Sequence, residues 1–272
     1  MLNDHIVGVI GAGNIGRALM GGMIGGNLLA PEQVIATRRT PAALEALEED
    51  FPGLRTHTDN VEAAREATVL LLTIKPQSRV EVLSEIHDHV RPGTLLISVL
   101  AGITTQTLEQ SFDAEVPVVR AMPNTPALVD EGATAIAGGR FATDDHLHIA
   151  QQIFDAVGTA EAVPEYLMDA VTGLSGSGPA YVYMFIEALT DAGVKQGLPR
   201  ATAAELAAQT VYGAAKLAIE TKKHPAILRD EVTTPGGTAI AAVSELESHG
   251  LRTMMINAVA TATERSKELS GE

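Results

Sequence analysis

The 272-residue chain has no cysteine and no tryptophan, and aromatic residues make up only 3% of it. Without a thiol there is no disulfide, no thiolate nucleophile and no zinc–thiolate site. Cations are also scarce: 13 Arg and 6 Lys stand against 34 acidic residues, for a formal charge of −15. Such a surface repels phosphate backbones and anionic bilayers, which argues against nucleic-acid and membrane partners. No apolar run reaches the ~18 residues of a membrane span. Met1 to His5 carry no basic stretch ahead of an apolar one. The expectation is a soluble, cytoplasmic protein. Hydrophobic residues are plentiful at 46%, enough to build a sizeable core and to exclude general disorder.

The pattern divides near Val163. Before it, short apolar runs alternate with helix-like stretches such as Pro41 to Glu49 and Ser78 to His89. The strand candidates are Ile6 to Ile10, Val34 to Ala36, Val69 to Ile74, Leu95 to Val99 and Val116 to Val119, with a weaker one at Ala133 to Ala137. Continuously apolar strands suit a parallel sheet covered on both faces. Strand–helix repetition makes this a doubly wound, Rossmann-type α/β domain over residues 1–163. Residues 164–272 read as all-helical: Pro179 to Val194, Ala201 to Thr221, Thr238 to Ser248 and Leu251 to Leu269. Ala180 to Leu189 is apolar nearly all round and is expected to be buried. Leu251, Met254, Met255, Ala258, Val259 and Ala262 form an apolar stripe. Stripes this wide on about 109 helical residues predict self-association through the C-terminal helices.

Gly11, Ala12, Gly13, Asn14, Ile15 and Gly16 directly follow the first strand and open a helix. In that setting G-x-G-x-x-G permits a tight turn, close approach of a pyrophosphate, and close helix–strand packing. An NAD site carries an acid about 20 residues further on, bonding the ribose 2′-hydroxyl. Here the second strand ends in Ala36-Thr37-Arg38-Arg39-Thr40, without an acid. Two guanidiniums suit a 2′-phosphate, so NADPH is expected to be preferred and NADH to be the weaker cofactor. The alternative is a solvated basic turn.

Several further motifs complete a pattern. Lys75-Pro76, Ala121-Met122-Pro123-Asn124-Thr125-Pro126, Leu174-Ser175-Gly176-Ser177-Gly178-Pro179-Ala180-Tyr181 and Pro235-Gly236-Gly237 occur in this order along nearly the whole chain. Together they resemble the pyrroline-5-carboxylate reductase family, which makes L-proline by reducing a cyclic imine with NAD(P)H. The resemblance implies an N-terminal dinucleotide domain and a C-terminal helical dimerisation domain. It also implies dimers or larger rings, with active sites near subunit interfaces. It places cofactor contacts on the six glycine-turn residues, on Thr37, Arg38 and Arg39, on Asn60 near the adenosine ribose, and on Lys75, Pro76, Ala101 and Gly102 near the nicotinamide. Each has a plainer alternative: Asn60 as a helix cap, Lys75 as a solvated strand-end lysine, and Asn124 as a turn former.

The implied substrate is a small imine bearing one carboxylate. Thr233, Thr234, Pro235, Gly236, Gly237 and Thr238 precede a helical run, where hydroxyls and free N–H groups can surround an oxyanion. The resemblance favours this loop for the carboxylate. Ser175 to Gly178 reads as a second helix start before Pro179, which makes Ser177 a further substrate contact or a cap. Hydride transfer is cofactor chemistry and requires no His or carboxylate pair. The catalytic group stays open among Thr238, Thr234 and Lys75, or water. His224 reads as a loop residue beside a proline. His146 and His148 lack supporting ligands, so no metal is expected. The family usually has a threonine two residues after Pro-Gly-Gly, where this chain has Ala239. The competing readings are a β-hydroxyacid dehydrogenase-like reductase, for which Lys195 is poorly placed, and a non-catalytic NADP(H) sensor.

Overall fold

The computed structural model describes residues 2–270. Among them, eight strands form one sheet: β1 (Val7–Ile10), β2 (Val34–Thr37), β3 (Arg55–His57), β4 (Val69–Leu72), β5 (Leu95–Ser98), β6 (Val118–Met122), β7 (Gly132–Gly138) and β8 (Gly158–Ala162). Their order is β3-β2-β1-β4-β5-β6-β7-β8. The helices α1 (Asn14–Gly25), α2 (Pro41–Asp50), α3 (Asn60–Glu66), α4 (Arg79–Ile86), α5 (Thr105–Glu109) and α6 (Asp144–Asp155) alternate with the strands.

Side chains leave a strand to opposite faces in turn, and the two cores follow that period. Val7, Val9, Val34, Ala36, Val69 and Leu71 pack on one face with Leu19, Met20 and Met23 of α1 and with Phe154 of α6. Ile10, Leu70, Leu72 and Leu96 pack on the other with Val82, Leu83 and Ile86 of α4. Strands buried on both faces must be apolar throughout, which is why their sequences do not alternate.

The sheet departs from the expected parallel arrangement at one joint. β7 runs antiparallel to β6, and β8 then runs parallel to β7. Residues 123–131 link β6 to β7, too few for a parallel crossover of about a dozen residues. β3 and β8 were not expected as strands. They lie at the two edges of the sheet, and Arg-Thr-His and Gly-Thr-Ala-Glu-Ala lack the apolar runs that mark buried strands.

The face carrying α1 is packed tightly at Gly22, which is buried. A Cβ there would meet the Val157 side chain and would lie 3.0 Å from the Ala156 carbonyl carbon. Gly22→Ala should therefore destabilise the protein by about 1–3 kcal/mol through overpacking. Denaturant unfolding measures this.

Beyond β8 the chain becomes helical: α7 (Met168–Val171), α8 (Gly178–Lys195), α9 (Arg200–Thr221), α10 (Pro225–Glu231), α11 (Thr238–Ser248) and α12 (Leu251–Ser270). The compact units divide after Ser177 rather than where the sheet ends. One holds the residues up to 177 with those from 261 onward, and the other holds 178–260. Met168 explains the first boundary, since it is buried against Ala135 and Ala137 of β7. In the first unit Glu165 also accepts the Thr105 N–H at 2.7 Å and its hydroxyl at 2.6 Å, and pairs with buried Arg120 at 3.6 Å. The returning end of α12 is held by Ser266, whose hydroxyl donates to Asp169 at 2.6 Å.

In the second unit α8 and α9 approach closely through small residues: a Cβ on Gly193 would lie 3.0 Å from that of Ala203. Ala203 and Ala207 are buried there. The expected burial of Ala180 to Leu189 does not hold within the chain. Tyr183 is 60% and Met184 70% exposed, and Val182, Phe185 and Leu189 are exposed as well. One neighbouring helix covers only part of a helix that is apolar all round. No helix among the described residues is long and apolar enough to cross a membrane.

Candidate active site

β1, β2, β4 and β5 are parallel, so their carboxyl ends share one edge of the sheet. The chain leaves β1 toward β2 on one side, while β4 lies on the other. Connections diverge at this point and leave a crevice, the usual ligand position in a doubly wound sheet. A cleft of about 620 Å³ opens there. Gly11 and Gly13 contribute from β1, Thr37, Arg38 and Arg39 from β2, and Asn60 from the start of α3. Lys75 follows β4, and Glu81 and Glu85 of α4 form the facing wall.

The glycine turn is shaped by its neighbours. Gly11 has φ +82°, a left-handed conformation that favours glycine. A Cβ on Gly16 would lie 2.8 Å from the Thr73 hydroxyl and 3.0 Å from the Val9 side chain. That hydroxyl donates to the carbonyls of Ile10 and Gly11 at 3.1 and 3.0 Å, so Thr73 ties β4 to the turn. α1 begins with Gly13 as its N-cap and no side-chain cap. Asn14, Ile15 and Gly16 thus form a first turn whose N–H groups no side chain satisfies, where the helix dipole favours an anion.

At the end of β2 the two arginines differ. Arg38 donates to the Ala12 carbonyl at 2.7 Å and so spans from β2 to the glycine turn. Arg39 is exposed and has no hydrogen-bond or ion-pair partner among the described residues. Thr37 is fully buried. Its carbonyl accepts the Ala12 N–H at 3.1 Å, and its hydroxyl accepts the Gly11 N–H at 3.4 Å. It lines the cleft and at the same time supports the glycine turn.

Asn60 is not the cap of α3. Asp59 takes that role, accepting the Val61 N–H at 2.8 Å. The Asn60 amide instead accepts from the Thr37 hydroxyl at 2.7 Å and donates to Glu85 at 2.7 Å. Lys75 is exposed at the strand end, and Pro76 opens the short 3₁₀ turn after it. Ala101 and buried Gly102 follow β5, outside the lining of the cleft.

Thr73, Glu81 and Glu85 had not been expected in the site. Thr73 carried a weak signal, a hydroxyl closing an apolar strand. The two acids carried none, because they share the polar face of a helix.

In the second unit Thr233, Thr234, Pro235 and Gly236 lead into α11, whose N-cap Gly237 has no side-chain cap. The Thr233 hydroxyl donates to the Asp230 carbonyl at 3.1 Å. Among the described residues the Thr234 hydroxyl has no such bond, while its carbonyl accepts the Gly237 N–H at 2.9 Å. Thr238 is exposed and Ala239 half-buried at the first turn of α11.

The expected helix does begin there, α8 at Gly178 with Pro179 next, but it is not an isolated start. Residues Thr172–Gly176 form a π-turn that joins α7 to α8, and the Ser177 N–H already donates to the Thr172 carbonyl at 2.8 Å. The Ser177 amide is therefore already engaged and is not open to an anion. The π-turn is held by Asn124, which donates to the Ser175 carbonyl at 3.1 Å and accepts the Ala133 N–H at 2.9 Å. Asn124 therefore does more than form a turn. The His146 and His224 imidazoles are used locally, accepting from the backbone of Thr143 and Ala226 at helix starts.

The arrangement matches known proteins over its whole length. Residues 165–269 match a family model described as pyrroline-5-carboxylate reductase dimerisation, and residues 6–102 match one described as coenzyme F420-dependent NADP oxidoreductase. A pyrroline-5-carboxylate reductase of Methanosarcina acetivorans is 47% identical over 268 residues, covering 98% of this chain and 99% of that one. The solved pyrroline-5-carboxylate reductase of Coxiella burnetii superposes with a TM-score of 0.94 at 37% identity, over 98% and 99% of the two chains. The Plasmodium falciparum pyrroline carboxylate reductase, solved with NADP bound, gives 0.86 at 30% identity over the same shares. Identity at this level across nearly every residue, on the same fold, means that the chain belongs to the pyrroline-5-carboxylate reductase family.

Proposed function

We propose that this protein reduces 1-pyrroline-5-carboxylate to L-proline, using NADPH in preference to NADH. The observation that carries the reading is the cleft itself. An uncapped helix start and two arginines meet there, where an NAD site would carry an acid. This donor set fits a dinucleotide with a 2′-phosphate: amides for the pyrophosphate and guanidiniums for the third phosphate. Residues 1–163 then serve as the dinucleotide-binding part, and 164–272 as the helical dimerisation and substrate-binding part.

When bound, the nicotinamide supplies a hydride to the carbon of the C=N bond, and the π pair moves to nitrogen. The chain's own residues bind and orient. Gly11 to Gly16, Arg38 and Arg39 hold the phosphates, with Lys75, Pro76, Ala101 and Gly102 at the strand ends toward the nicotinamide. Thr234, whose hydroxyl is uncommitted, and the open amides of Thr238 and Ala239 hold the substrate carboxylate. Thr233 shapes the loop through its bond to Asp230. The imine nitrogen is protonated on binding, so the product amine needs no strong acid, and a Thr238 hydroxyl or a water suffices beside it. Proline-dependent reduction of NADP⁺ at high pH tests the assignment, since neither a hydroxyacid reductase nor a nucleotide sensor turns over proline.

Ala239 sharpens the expectation for the substrate loop. If the hydroxyl usual at this position only orients substrate, its loss costs about one neutral hydrogen bond, roughly 0.5–1.5 kcal/mol, and water fills the space. If it supplied the proton, the loss would reach ~10²-fold or more. The first case is expected. Ala239→Thr should raise kcat/KM by less than about tenfold, and Thr234→Val should raise the substrate KM. A wild type that is inactive until Ala239→Thr restores it would show the hydroxyl to be chemically required.

A further inference from the structure

The hydrogen bonds that run from α4 to the glycine turn have a fixed direction. A carboxylate accepts and does not donate. Glu85 takes both donors of Asn60, the amide Nδ2 at 2.7 Å and the backbone N–H at 3.4 Å. The Asn60 Oδ1 is thereby turned to Thr37, whose hydroxyl donates to it at 2.7 Å and accepts the Gly11 N–H at 3.4 Å. Reversing the Asn60 amide would aim its NH₂ at that hydroxyl and leave the buried Thr37 hydrogen without this acceptor.

Asn60 lines the cleft, and its Nδ2 keeps a second hydrogen beyond the one given to Glu85. The reversed amide would present an acceptor in its place. A ribose hydroxyl tolerates either, because it both donates and accepts. An ionised phosphate only accepts.

We propose that Glu85 is a positioning residue for cofactor selection: by locking the Asn60 amide with its nitrogen on the α4 side and its oxygen on Thr37, it keeps a donor at the cleft wall and favours the nucleotide whose ribose carries a phosphate. This rests on the NADPH reading of the same cleft. The sign of the effect sets it apart from simple electrostatics. A carboxylate close to a phosphate repels it, so on charge alone neutralising Glu85 would tighten NADPH. The locked amide predicts the reverse.

Fluorescence titration of NADPH and NADH against wild type, Glu85→Gln and Glu85→Ala decides between them. Glu85 is exposed, so both variants keep the core, and equal melting temperatures of the free proteins check this. The NADPH Kd is expected to rise about 2- to 3-fold in Glu85→Gln, which still accepts but no longer dictates direction, and about 3- to 10-fold in Glu85→Ala. The NADH Kd should move by less than about twofold in both, a discrimination that general loosening of the cleft would not produce. Tighter NADPH binding in either variant overturns the proposal, and so does equal weakening of both nucleotides. A wild type that binds neither nucleotide overturns the NADPH reading itself, whatever the variants do.

Discussion

Replacing Arg38 and Arg39 together by alanine should raise the NADPH KM by about 10²-fold, two charge-assisted bonds of about 1.5–3 kcal/mol each being lost with partial compensation. The NADH KM should stay within about twofold, because a ribose hydroxyl does not need a guanidinium. The single variants should be unequal in kind. Arg39 has no other partner among the described residues, so Arg39→Ala should act on NADPH alone. Arg38 also holds the Ala12 carbonyl at 2.7 Å, so Arg38→Ala should in addition raise the NADH KM slightly, within that twofold limit, through the glycine turn. Steady-state kinetics with each cofactor measure both effects. An equal loss for the two cofactors in Arg39→Ala would show that this residue does not read the 2′-phosphate.

Putting charge on the open face of α8 should abolish self-association. Met184 and Phe185 are 70% and 43% exposed in the single chain, beside Tyr183 and Val182. Large apolar side chains exposed around a helix in this way mark an interface, and residues 165–269 match a dimerisation family. A two-fold dimer is the commonest closed arrangement. An unpaired carboxylate buried at such a contact costs several kcal/mol, and a two-fold interface meets it twice. Wild type should therefore sediment as a dimer or larger ring at micromolar concentration, and Met184→Glu with Phe185→Glu as the 28.4 kDa monomer. Helical content should be unchanged, since neither side chain belongs to the core of its own chain. A wild type that is itself a stable monomer would refute the interface.

The parts of the fold that could be read in advance share a physical property: their signal is local. β1, β2, β4 and β5 are buried on both faces and announce themselves as unbroken apolar runs. The glycine turn needs glycine where φ is +82° at Gly11 and where Thr73 crowds Gly16, so its spacing is visible in one stretch of chain. Thr238–Ser248 runs as expected from its apolar pattern. Edge strands bury less and carry little pattern, so β3 and β8 went unseen. The π-turn at Thr172–Gly176 has no such local signal, because serine and glycine before a proline look the same at a free helix start and at a π-turn running into α8.

From the sequence alone came the doubly wound fold, the dinucleotide turn, the basic replacement for an NAD-type acid and the family resemblance, since each rests on neighbours along the chain. Which polar groups engage one another was decided only in three dimensions. Strand order brings Thr37, Asn60 and Glu85 into one hydrogen-bonded line, though no spacing rule links the three positions. Folding likewise separated Arg39, exposed at the end of β2, from Arg38, tied to Ala12. It also committed the Thr233 hydroxyl to Asp230 while leaving that of Thr234 open. The direction of a hydrogen bond depends on which group lies within about 3 Å, and that neighbour is set by packing between elements distant in the chain.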